Sequence, residues 1–214
     1  SDHLRKMLVD FEDTRVIMLE CDIRFAQARL ADLLEAHPCH FSPDSLHLIE
    51  VKHPVLVMNP EGCIGNTVFL DQRHRILLLS GPNAGGKTVL LKSVGLAIHM
   101  ARCGLFICAS EGSKVPFVTH LEVAVGDAQS VDAHLSTFAA HLKALNHALE
   151  NKGPQSLLLI DEICGSTDPE EGSALARSFV ESFAQNKVFG VITSHLSPLK
   201  VGWTPDSGII NGFL

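Results

Sequence analysis

The chain has 214 residues, of which 46% are hydrophobic and 19% charged, and this composition excludes a disordered or collagen-like chain. Against about 150 residues per domain, the length predicts one large domain, or one domain with an appendage. Seventeen Lys and Arg residues against 24 Asp and Glu residues give a net charge of −7, so the chain has no basic field of its own for nucleic acid. If the protein acts on nucleic acid, another segment must bind the nucleic acid.

Membrane segments and cysteine spacing bear on location. The longest apolar runs are far shorter than the roughly 20 residues that a membrane helix needs, and the charged N-terminus lacks the apolar core of a signal peptide. The six cysteines include no Cys-x-x-Cys pair and no spacing typical of a small disulfide-rich domain. We therefore expect no membrane partner and a reducing, cytoplasmic location.

Residues 14–36 are predicted to form one long amphipathic helix. Apolar residues recur there at steps of three and four, and Pro38 is expected to end the helix by pushing its predecessor out of the helical region. A narrow stripe on so long a helix either packs on the main domain or belongs to a larger assembly, and we favour the second. The predicted domains are residues 1–42, a helical segment with a linker, and residues 43–214.

After residue 43, short apolar runs alternate with helical patterns. The predicted strands cover residues 46–51, 67–70, 75–80, 105–108, 119–125, 156–160, 188–193 and 208–210, and the predicted helices cover residues 86–101, 137–150 and 169–185. Strands that are apolar on both faces and interleaved with helices predict a mainly parallel sheet flanked by helices. The expected fold class is therefore α/β, of a nucleotide-binding type. The chain stops just after its last strand, which suggests truncation.

A complete phosphate-binding motif follows the strand predicted at residues 75–80. The sequence Gly-Pro-Asn-Ala-Gly-Gly-Lys-Thr matches G-x-x-x-x-G-K-[ST], between a buried strand and the start of a helix. The glycines let backbone N–H groups turn toward phosphates, and a helix N-terminus favours an anion. Lys87 is expected to neutralise the β- and γ-phosphates of ATP, and the Thr88 hydroxyl to coordinate Mg²⁺. The predicted nucleotide-binding residues are Gly81, Pro82, Asn83, Ala84, Gly85, Gly86, Lys87, Thr88 and Val89.

Two acids end the apolar strand predicted at residues 156–160. An acid at the carboxyl end of a buried parallel strand lies beside the phosphate loop, where ligands bind in such sheets. Asp161 is therefore predicted to hold Mg²⁺, directly or through water. Glu162 is predicted to orient and polarise the attacking water as a general base.

Two further residues have both a structural and a functional interpretation. Asp168, directly before Pro169, is predicted to cap the helix that begins there, and its polar loop follows the two acids closely. His195 follows the strand predicted at residues 188–193, on the same edge of the sheet as Asp161. A lone histidine is usually structural, but this position also permits a hydrogen bond to a γ-phosphate. The candidate catalytic residues are therefore Glu162 and His195.

The order of these motifs resembles the ATPase domain of the MutS family. The phosphate loop is followed by Gly-Asp-Ala-Gln-Ser at 126–130, Leu-Ser-Thr-Phe at 135–138, the two acids, Ser-Thr-Asp-Pro-Glu-Glu-Gly at 166–172, and Thr-Ser-His at 193–195. Their details are most similar to the bacterial MutS-two branch. The family's Arg-His-Pro is Lys-His-Pro at 52–54 here, a mild departure. The similarity covers about residues 14–210, so the chain resembles an isolated ATPase fragment.

The resemblance implies a P-loop NTPase of ABC-ATPase-like type that works as a homodimer with composite ATP sites. Ser136 and Thr137 would reach the γ-phosphate held by the opposite subunit. Hydroxyls and the free N–H groups of a helix start suit an anion. The helix predicted at residues 14–36 would be a remnant of the long lever helix that joins the ATPase to a DNA clamp.

The resemblance also implies roles for residues outside the phosphate loop and the acids. Asp127 and Gln129, with Asp168, would lie near the Mg²⁺ ion and the attacking water. The segment at residues 63–66 would line the adenine, with Ile64 and Asn66 as the candidate contacts.

The predicted activity is Mg²⁺-dependent hydrolysis of ATP to ADP and phosphate, in the motor domain of a protein that acts on DNA. The resemblance links it to suppression of recombination and to DNA repair, with DNA contacted by parts outside this chain. Two alternatives stay open: the ATPase of a ribosome-rescue factor of the MutS-two type, and an ABC- or SMC-like module that works by nucleotide-gated dimerisation. ABC-type proteins carry Leu-Ser-Gly-Gly-Gln where this chain has Leu-Ser-Thr-Phe, and Glu162 argues against an inactive module.

Overall fold

The computed structural model describes residues 2–59, 61–82, 86–125, 134–150, 153–165 and 168–214. The helices are α1 (Asp2–Leu33), α2 (Pro54–Val57), α3 (Lys87–Arg102), α4 (His134–Glu150) and α5 (Pro169–Gln185), with a 3₁₀ turn at Ser197–Lys200. The strands are β1 (His40–Phe41), β2 (Leu46–Val51), β3 (Asn66–Leu70), β4 (Ile76–Ser80), β5 (Lys114–Val115), β6 (His120–Ala124), β7 (Ser156–Ile160), β8 (Phe189–Thr193) and β9 (Ile209–Phe213). None of the described helices combines the length and apolar character needed to cross a membrane.

The larger sheet contains five parallel strands in the order β6-β7-β8-β4-β9. Val191 in the middle strand lies opposite Leu77 of β4 and Leu159 of β7. Strands β7 and β8 are buried at every position, as a parallel sheet covered on both faces requires. The predicted α/β class, with a mainly parallel sheet flanked by helices, is confirmed.

The two faces of this sheet form two cores from alternating residues of the same strands. Leu77 and Leu159 pack with α3 and the smaller sheet, whereas Leu78 and Leu158 pack with α4 and α5. The alternation follows from the two-residue period of a strand, which sends neighbouring side chains to opposite faces. Because both faces are covered, polar chemistry is left to the edges where the strands end.

The smaller sheet has four strands in the order β1-β5-β2-β3 and shares a core with α3. Strands β2 and β3 pair antiparallel, with a register shift between Leu48 and Val51. The two-residue strands β1 and β5 pair in parallel, with Phe41 opposite Val115. Neither short strand was predicted, because two residues are too few to show a periodicity.

One predicted strand is wrong, and the other predicted elements in residues 43–214 differ by three residues or fewer at their ends. Residues 105–108 form no strand, since Ile107 makes only an isolated antiparallel bridge with His37. Their backbones exchange N–H···O bonds of 2.9 and 3.0 Å. Ile107 is nevertheless fully buried, so burial beside the segment that follows α1 explains the apolar run without a sheet.

Helix α1 begins earlier than predicted and ends three residues sooner, at Leu33. It ends because Glu35 adopts a left-handed φ of +48° and the Ala36 N–H donates to the Ala31 carbonyl at 2.9 Å, which satisfies an end carbonyl of the helix. Among the α1 side chains whose burial the structure describes, most large apolar ones are exposed, including Phe25 at 66%. Packing on the main domain, the first of the two alternatives for this helix, therefore does not hold for these side chains. Its place in a larger assembly stays a prediction.

Candidate functional site

The phosphate-loop motif connects strand β4 to helix α3, as predicted. Its glycines at both ends meet specific backbone requirements. Gly86 caps α3 with a left-handed φ of +84°. A Cβ at Gly81 would collide with the backbone oxygen of Leu214, the residue directly after β9. Both positions therefore need glycine for a backbone reason, independent of any ligand.

The side chain of Lys87 is held over this loop. It is 3% exposed, and its Nζ donates to the carbonyl oxygens of Gly81 at 2.7 Å and of Pro82 at 2.8 Å. These carbonyls are neutral acceptors, so a phosphate group would offer the ammonium a stronger, charge-assisted bond. Val89, two residues on, is exposed at the start of α3.

Thr88 and Asp161 meet directly, although 73 residues separate them in the sequence. The Thr88 hydroxyl donates to Oδ2 of Asp161 at 2.6 Å. Asp161 directly follows β7, and its N–H donates to Ala124 at the end of β6 at 2.8 Å. The structure thus brings together the two residues predicted to hold a metal.

Thr193, which has no predicted role, contacts both predicted acids. Its hydroxyl donates to Oδ1 of Asp161 at 2.6 Å and accepts the backbone N–H of Glu162 at 2.8 Å. Strand β8 lies between β4 and β7, and the pairing of Ile160 with Ile192 places Asp161 beside Thr193. The signal available in the sequence was a hydroxyl residue that ends a buried strand, two residues before His195.

Glu162 begins a tight turn at the carboxyl end of β7. Glu162 and Cys164 have left-handed φ values of +51° and +53°, which are uncommon outside glycine and cluster at functional sites. The Glu162 side chain is exposed. Burial raises the pKa of the Cys164 thiol to about 11, which keeps it protonated and unreactive beneath the turn.

His195 lies against the same turn. A Cβ built on Gly165 would be 2.9 Å from Cε1 of His195 and 3.2 Å from the Glu162 carbonyl oxygen. His195 is exposed. The predicted general base and the predicted γ-phosphate contact therefore occupy one edge of the sheet, on neighbouring strands.

Asp168 makes the structural contact that the sequence predicts. Its Oδ1 accepts the backbone N–H groups of Glu170 at 2.9 Å and Glu171 at 3.3 Å, which caps α5. Its place near an Mg²⁺ ion and a water stays a prediction.

The two predicted adenine contacts lie at the start of the smaller sheet. Asn66 begins β3 and pairs with Val51 of β2. Ile64, just before it, is 90% exposed, which leaves an apolar side chain free for a planar ligand. Between them, Gly65 lies so close to Glu50 that a Cβ would stand 2.6 Å from its carbonyl oxygen.

Several predicted site residues cannot be compared with this geometry. Ser136 and Thr137 belong to the first turn of α4, but their side chains are outside the described part of the structure. Outside the described residues altogether lie Asn83, Ala84, Gly85, Asp127 and Gln129.

The donor atoms beside the phosphate loop suit magnesium. Mg²⁺ prefers oxygen ligands, keeps several waters, and is usually held by one or two protein groups together with substrate phosphates. The Thr88 hydroxyl and the Asp161 carboxylate supply such oxygens 2.6 Å apart. Among the described residues there is no cluster of three His, Cys, Asp or Glu that would form an all-protein metal cage.

Comparison with known proteins places this geometry in a family. A model of the family described as MutS domain V, a P-loop ATPase domain, matches residues 77–205, which is more than half of the chain. Similar curated proteins include Endonuclease MutS2 of Thermus thermophilus, 43% identical over 191 residues that make up 89% of this chain and 25% of that protein. The proteins of the same name from Anaeromyxobacter sp. and Thermomicrobium roseum are 40% and 37% identical, over 86% and 97% of this chain and 24% and 28% of their own lengths.

The chain therefore spans about a quarter of the length of these relatives. The matched region contains the phosphate loop, from its strand β4 onward, both acids and His195. The chain thus belongs to the MutS domain V family and is an ATPase domain of a MutS2-like protein.

Proposed function

We infer that this domain binds ATP with Mg²⁺ and hydrolyses it to ADP and phosphate. The observation that carries the proposal is the 2.6 Å hydrogen bond between Thr88 and Asp161. It joins the helix that follows the phosphate loop to the acid at the end of β7, the pair of oxygen donors that P-loop enzymes use for Mg²⁺.

Each residue near the loop has a distinct proposed task. The ammonium of Lys87 exchanges the Gly81 and Pro82 carbonyls for phosphate oxygens. Thr88 and Asp161 hold the magnesium ion. A bound Mg²⁺ ion supplies positive charge that offsets the negative charge of the β- and γ-phosphates.

Hydrolysis then needs an activated water and a stabilised γ-phosphate. The Glu162 carboxylate orients a water toward the γ-phosphorus and accepts its proton while the bond to the β–γ bridging oxygen breaks. His195 donates a hydrogen bond to the γ-phosphate from the end of the neighbouring strand. The exposure of both side chains supports contact with a ligand that enters from solvent.

We propose that the complete site forms between two copies of the chain. Ser136 and Thr137 of one copy contact the γ-phosphate bound by the other, as the family resemblance implies. Their position in the first turn of α4 supports this, because N–H groups at a helix start are unpaired within the helix. Asp127, Gln129 and Asp168 are proposed to lie near the metal and the water.

The adenine is proposed to lie against the segment at residues 63–66. Ile64 offers it an exposed apolar surface and Asn66 a polar side chain beside it. Asn83, Ala84, Gly85, Gly86 and Val89 complete the proposed nucleotide contacts. The family resemblance supports this placement of the adenine.

The partner of the whole protein is proposed to be DNA. The relatives are named Endonuclease MutS2, and this chain corresponds to about a quarter of their length. With a net charge of −7, this domain is poorly suited to bind the phosphate backbone of DNA. We therefore propose that its ATPase cycle drives other segments of the protein, which contact the DNA. If the partner is instead a ribosome, the same ATPase activity would act on it. None of the six cysteines, all of which lie in the described part of the chain, forms a disulfide bond, and this supports the cytoplasmic location proposed.

An ATPase assay over a range of protein concentrations tests the proposal. With Mg²⁺, specific activity is expected to rise with concentration until the dimer forms, and EDTA is expected to abolish it. Nucleotide binding with no hydrolysis at any concentration would favour the nucleotide-gated dimerisation module. Activity that is unchanged by EDTA would contradict the role proposed for Thr88 and Asp161.

Mixing two inactive variants tests the composite site. Lys87→Ala chains mixed with Ser136→Ala/Thr137→Ala chains should recover activity, because one site of the mixed dimer keeps an intact loop and an intact opposing helix. The matched control mixes Lys87→Ala with Glu162→Gln. Both of those changes affect the same copy's contribution, so that mixture should stay inactive. Recovery in neither mixture, with specific activity flat over concentration, would exclude action between subunits.

A further inference from the structure

We propose that Thr193 is a positioning residue whose hydroxyl couples the Asp161 carboxylate to the backbone of Glu162. The proposal rests on the function proposed above for these two acids. Thr193 touches no substrate in this scheme, and it acts only through the residues it holds.

The direction of each hydrogen bond follows from the chemistry of the hydroxyl group. An ionised carboxylate only accepts, so the single proton of the Thr193 hydroxyl goes to Oδ1 of Asp161, at 2.6 Å. The Glu162 N–H must donate, and it reaches a lone pair of the same oxygen at 2.8 Å. One buried oxygen atom therefore fixes the side chain of the metal-holding acid and the backbone of the general base.

Thr193 also holds the turn in its left-handed conformation. Its carbonyl oxygen accepts the Ile163 N–H at 3.1 Å. The N–H groups of Glu162 and Ile163 therefore both donate to Thr193, one to its hydroxyl and one to its carbonyl oxygen. Glu162 has a φ of +51°, a conformation that persists only where the surroundings impose it. Because Thr193 is fully buried, no water can replace its hydroxyl without rearrangement.

The two carboxylate oxygens of Asp161 accept hydrogen bonds from different threonines. Thr88 occupies Oδ2 and Thr193 occupies Oδ1, each at 2.6 Å. Thr88 is itself a proposed metal ligand, so its hydroxyl oxygen would serve both the ion and Oδ2, whereas Thr193 has no proposed ligand and can keep Oδ1 fixed. Thr193 is thus the contact that holds the orientation of the carboxylate independently of the proposed metal ligands.

Thr193→Val removes the hydroxyl at nearly constant shape, and Thr193→Ser keeps it. The matched control is Ser194→Ala, the next residue of the chain. Ser194 is also buried, and its hydroxyl accepts the Leu196 N–H at 3.1 Å without reaching either acid. A loss caused only by removing a buried hydroxyl at this end of β8 will appear in both variants.

The first measurement is amide hydrogen exchange by NMR on the protein without nucleotide. In Thr193→Val the Glu162 N–H should exchange about tenfold faster or more, as expected for a lost bond, while the Ile163 N–H keeps its protection. Thr193→Ser should restore the protection of Glu162. Ser194→Ala should leave it unchanged.

The second measurement compares ATP affinity with Mg²⁺ and with EDTA, followed by turnover. Thr193→Val should weaken Mg²⁺–ATP binding by about tenfold and lower kcat by a similar factor, whereas metal-free ATP affinity changes by less than about twofold. A purely structural role would shift the two affinities alike. Thr193→Ser should recover most of both losses. If Thr193→Val does not fold, Thr193→Ala takes its place against the same controls.

The outcomes separate this proposal from the proposed function. Unchanged exchange of the Glu162 N–H in Thr193→Val would overturn the positioning role, whatever the protein does with ATP. Equal losses in Thr193→Val and Ser194→Ala, or equal losses of metal-free and Mg²⁺–ATP affinity, would overturn it too. If the unmodified protein binds no ATP, the proposed function fails, and the exchange experiment still decides whether Thr193 holds the turn.

Discussion

The two ends of the five-stranded sheet hold their polar groups in different ways. At the amino end, Arg75 directly precedes β4 and is only 7% exposed. Its guanidinium lies 4.4 Å from the centroid of the Phe189 ring and donates to the Lys187 carbonyl at 2.9 Å. Burial lowers the pKa of Arg75, and the charges of nearby acids partly oppose that effect.

At the carboxyl end, the polar groups are bonded to one another. Asp161 is half-buried, its two oxygens accept threonine hydroxyls, and Glu162 and His195 beside it are exposed. Hydroxyl and carboxylate groups can exchange such bonds for a metal or a phosphate. Arg75 instead has an aromatic and a backbone partner, and its buried Nε has no hydrogen-bond partner in the described part of the structure. The difference supports the ligand site proposed at the carboxyl end, whereas at the amino end Arg75 packs against the Phe189 ring.

The largest effect is expected from Lys87→Ala. The ammonium would make charge-assisted bonds to two phosphates, and at about 1.5–3 kcal/mol each their loss should weaken ATP affinity by about 10³-fold. Titration with a fluorescent ATP analogue measures it. Lys92→Ala, an exposed lysine of the same helix, is the control and should bind normally. Affinity within about threefold of the unmodified protein would refute the phosphate-loop assignment.

Glu162→Gln is expected to separate chemistry from binding. The amide cannot accept the proton from water, so turnover should fall by about 10²-fold or more, while Mg²⁺–ATP affinity stays the same. Single-turnover hydrolysis and equilibrium titration measure the two quantities. Glu170→Gln, an exposed residue of α5, serves as the control. Normal turnover with weakened binding would make Glu162 a metal or structural residue.

Arg75→Met should reduce stability without touching ATP affinity. The loss of the ring contact and of one charged hydrogen bond should cost about 2 kcal/mol of the free energy of unfolding. That corresponds to a fall in Tm of roughly 4–8 °C for a chain of this size. Arg73→Met, at a nearby exposed arginine, should change little. An unchanged Tm, or a loss of ATP binding with stability intact, would break the contrast between the two ends.

Gly165→Ala is expected to have the smallest effect. The added methyl group would stand 2.9 Å from Cε1 of His195, so the ring must shift by a few tenths of an ångström. If His195 contacts the γ-phosphate, turnover should fall about three- to tenfold with ATP affinity nearly unchanged. Gly153→Ala, where a Cβ meets nothing within 4 Å, is the control. Equal turnover in both variants would remove the support for a catalytic His195.

The elements that carry the site were readable from the sequence because their signals are local. Strand β7 and helix α5 have the predicted bounds, since a continuous apolar run marks one and an Asp-Pro start marks the other. The segment at residues 105–108 was misassigned, because an apolar run reports burial and does not distinguish sheet pairing from other packing. The sequence correctly predicted that α1 is a helix. Its end was missed because the left-handed residue there is Glu35 and not the glycine that usually marks such an end.

The sequence by itself determined the phosphate loop, the two acids, the histidine and the α/β class, because each depends on residues that are neighbours in the chain. Only the tertiary structure decided that β8 lies between β4 and β7, and this order brings Thr193 into contact with Asp161. Strand order depends on how long crossovers pack against the sheet, and no local pattern encodes it. For that reason the Thr88–Asp161 pair was predicted from a motif, whereas the threonine that holds the other oxygen of the same carboxylate had to be found in the fold.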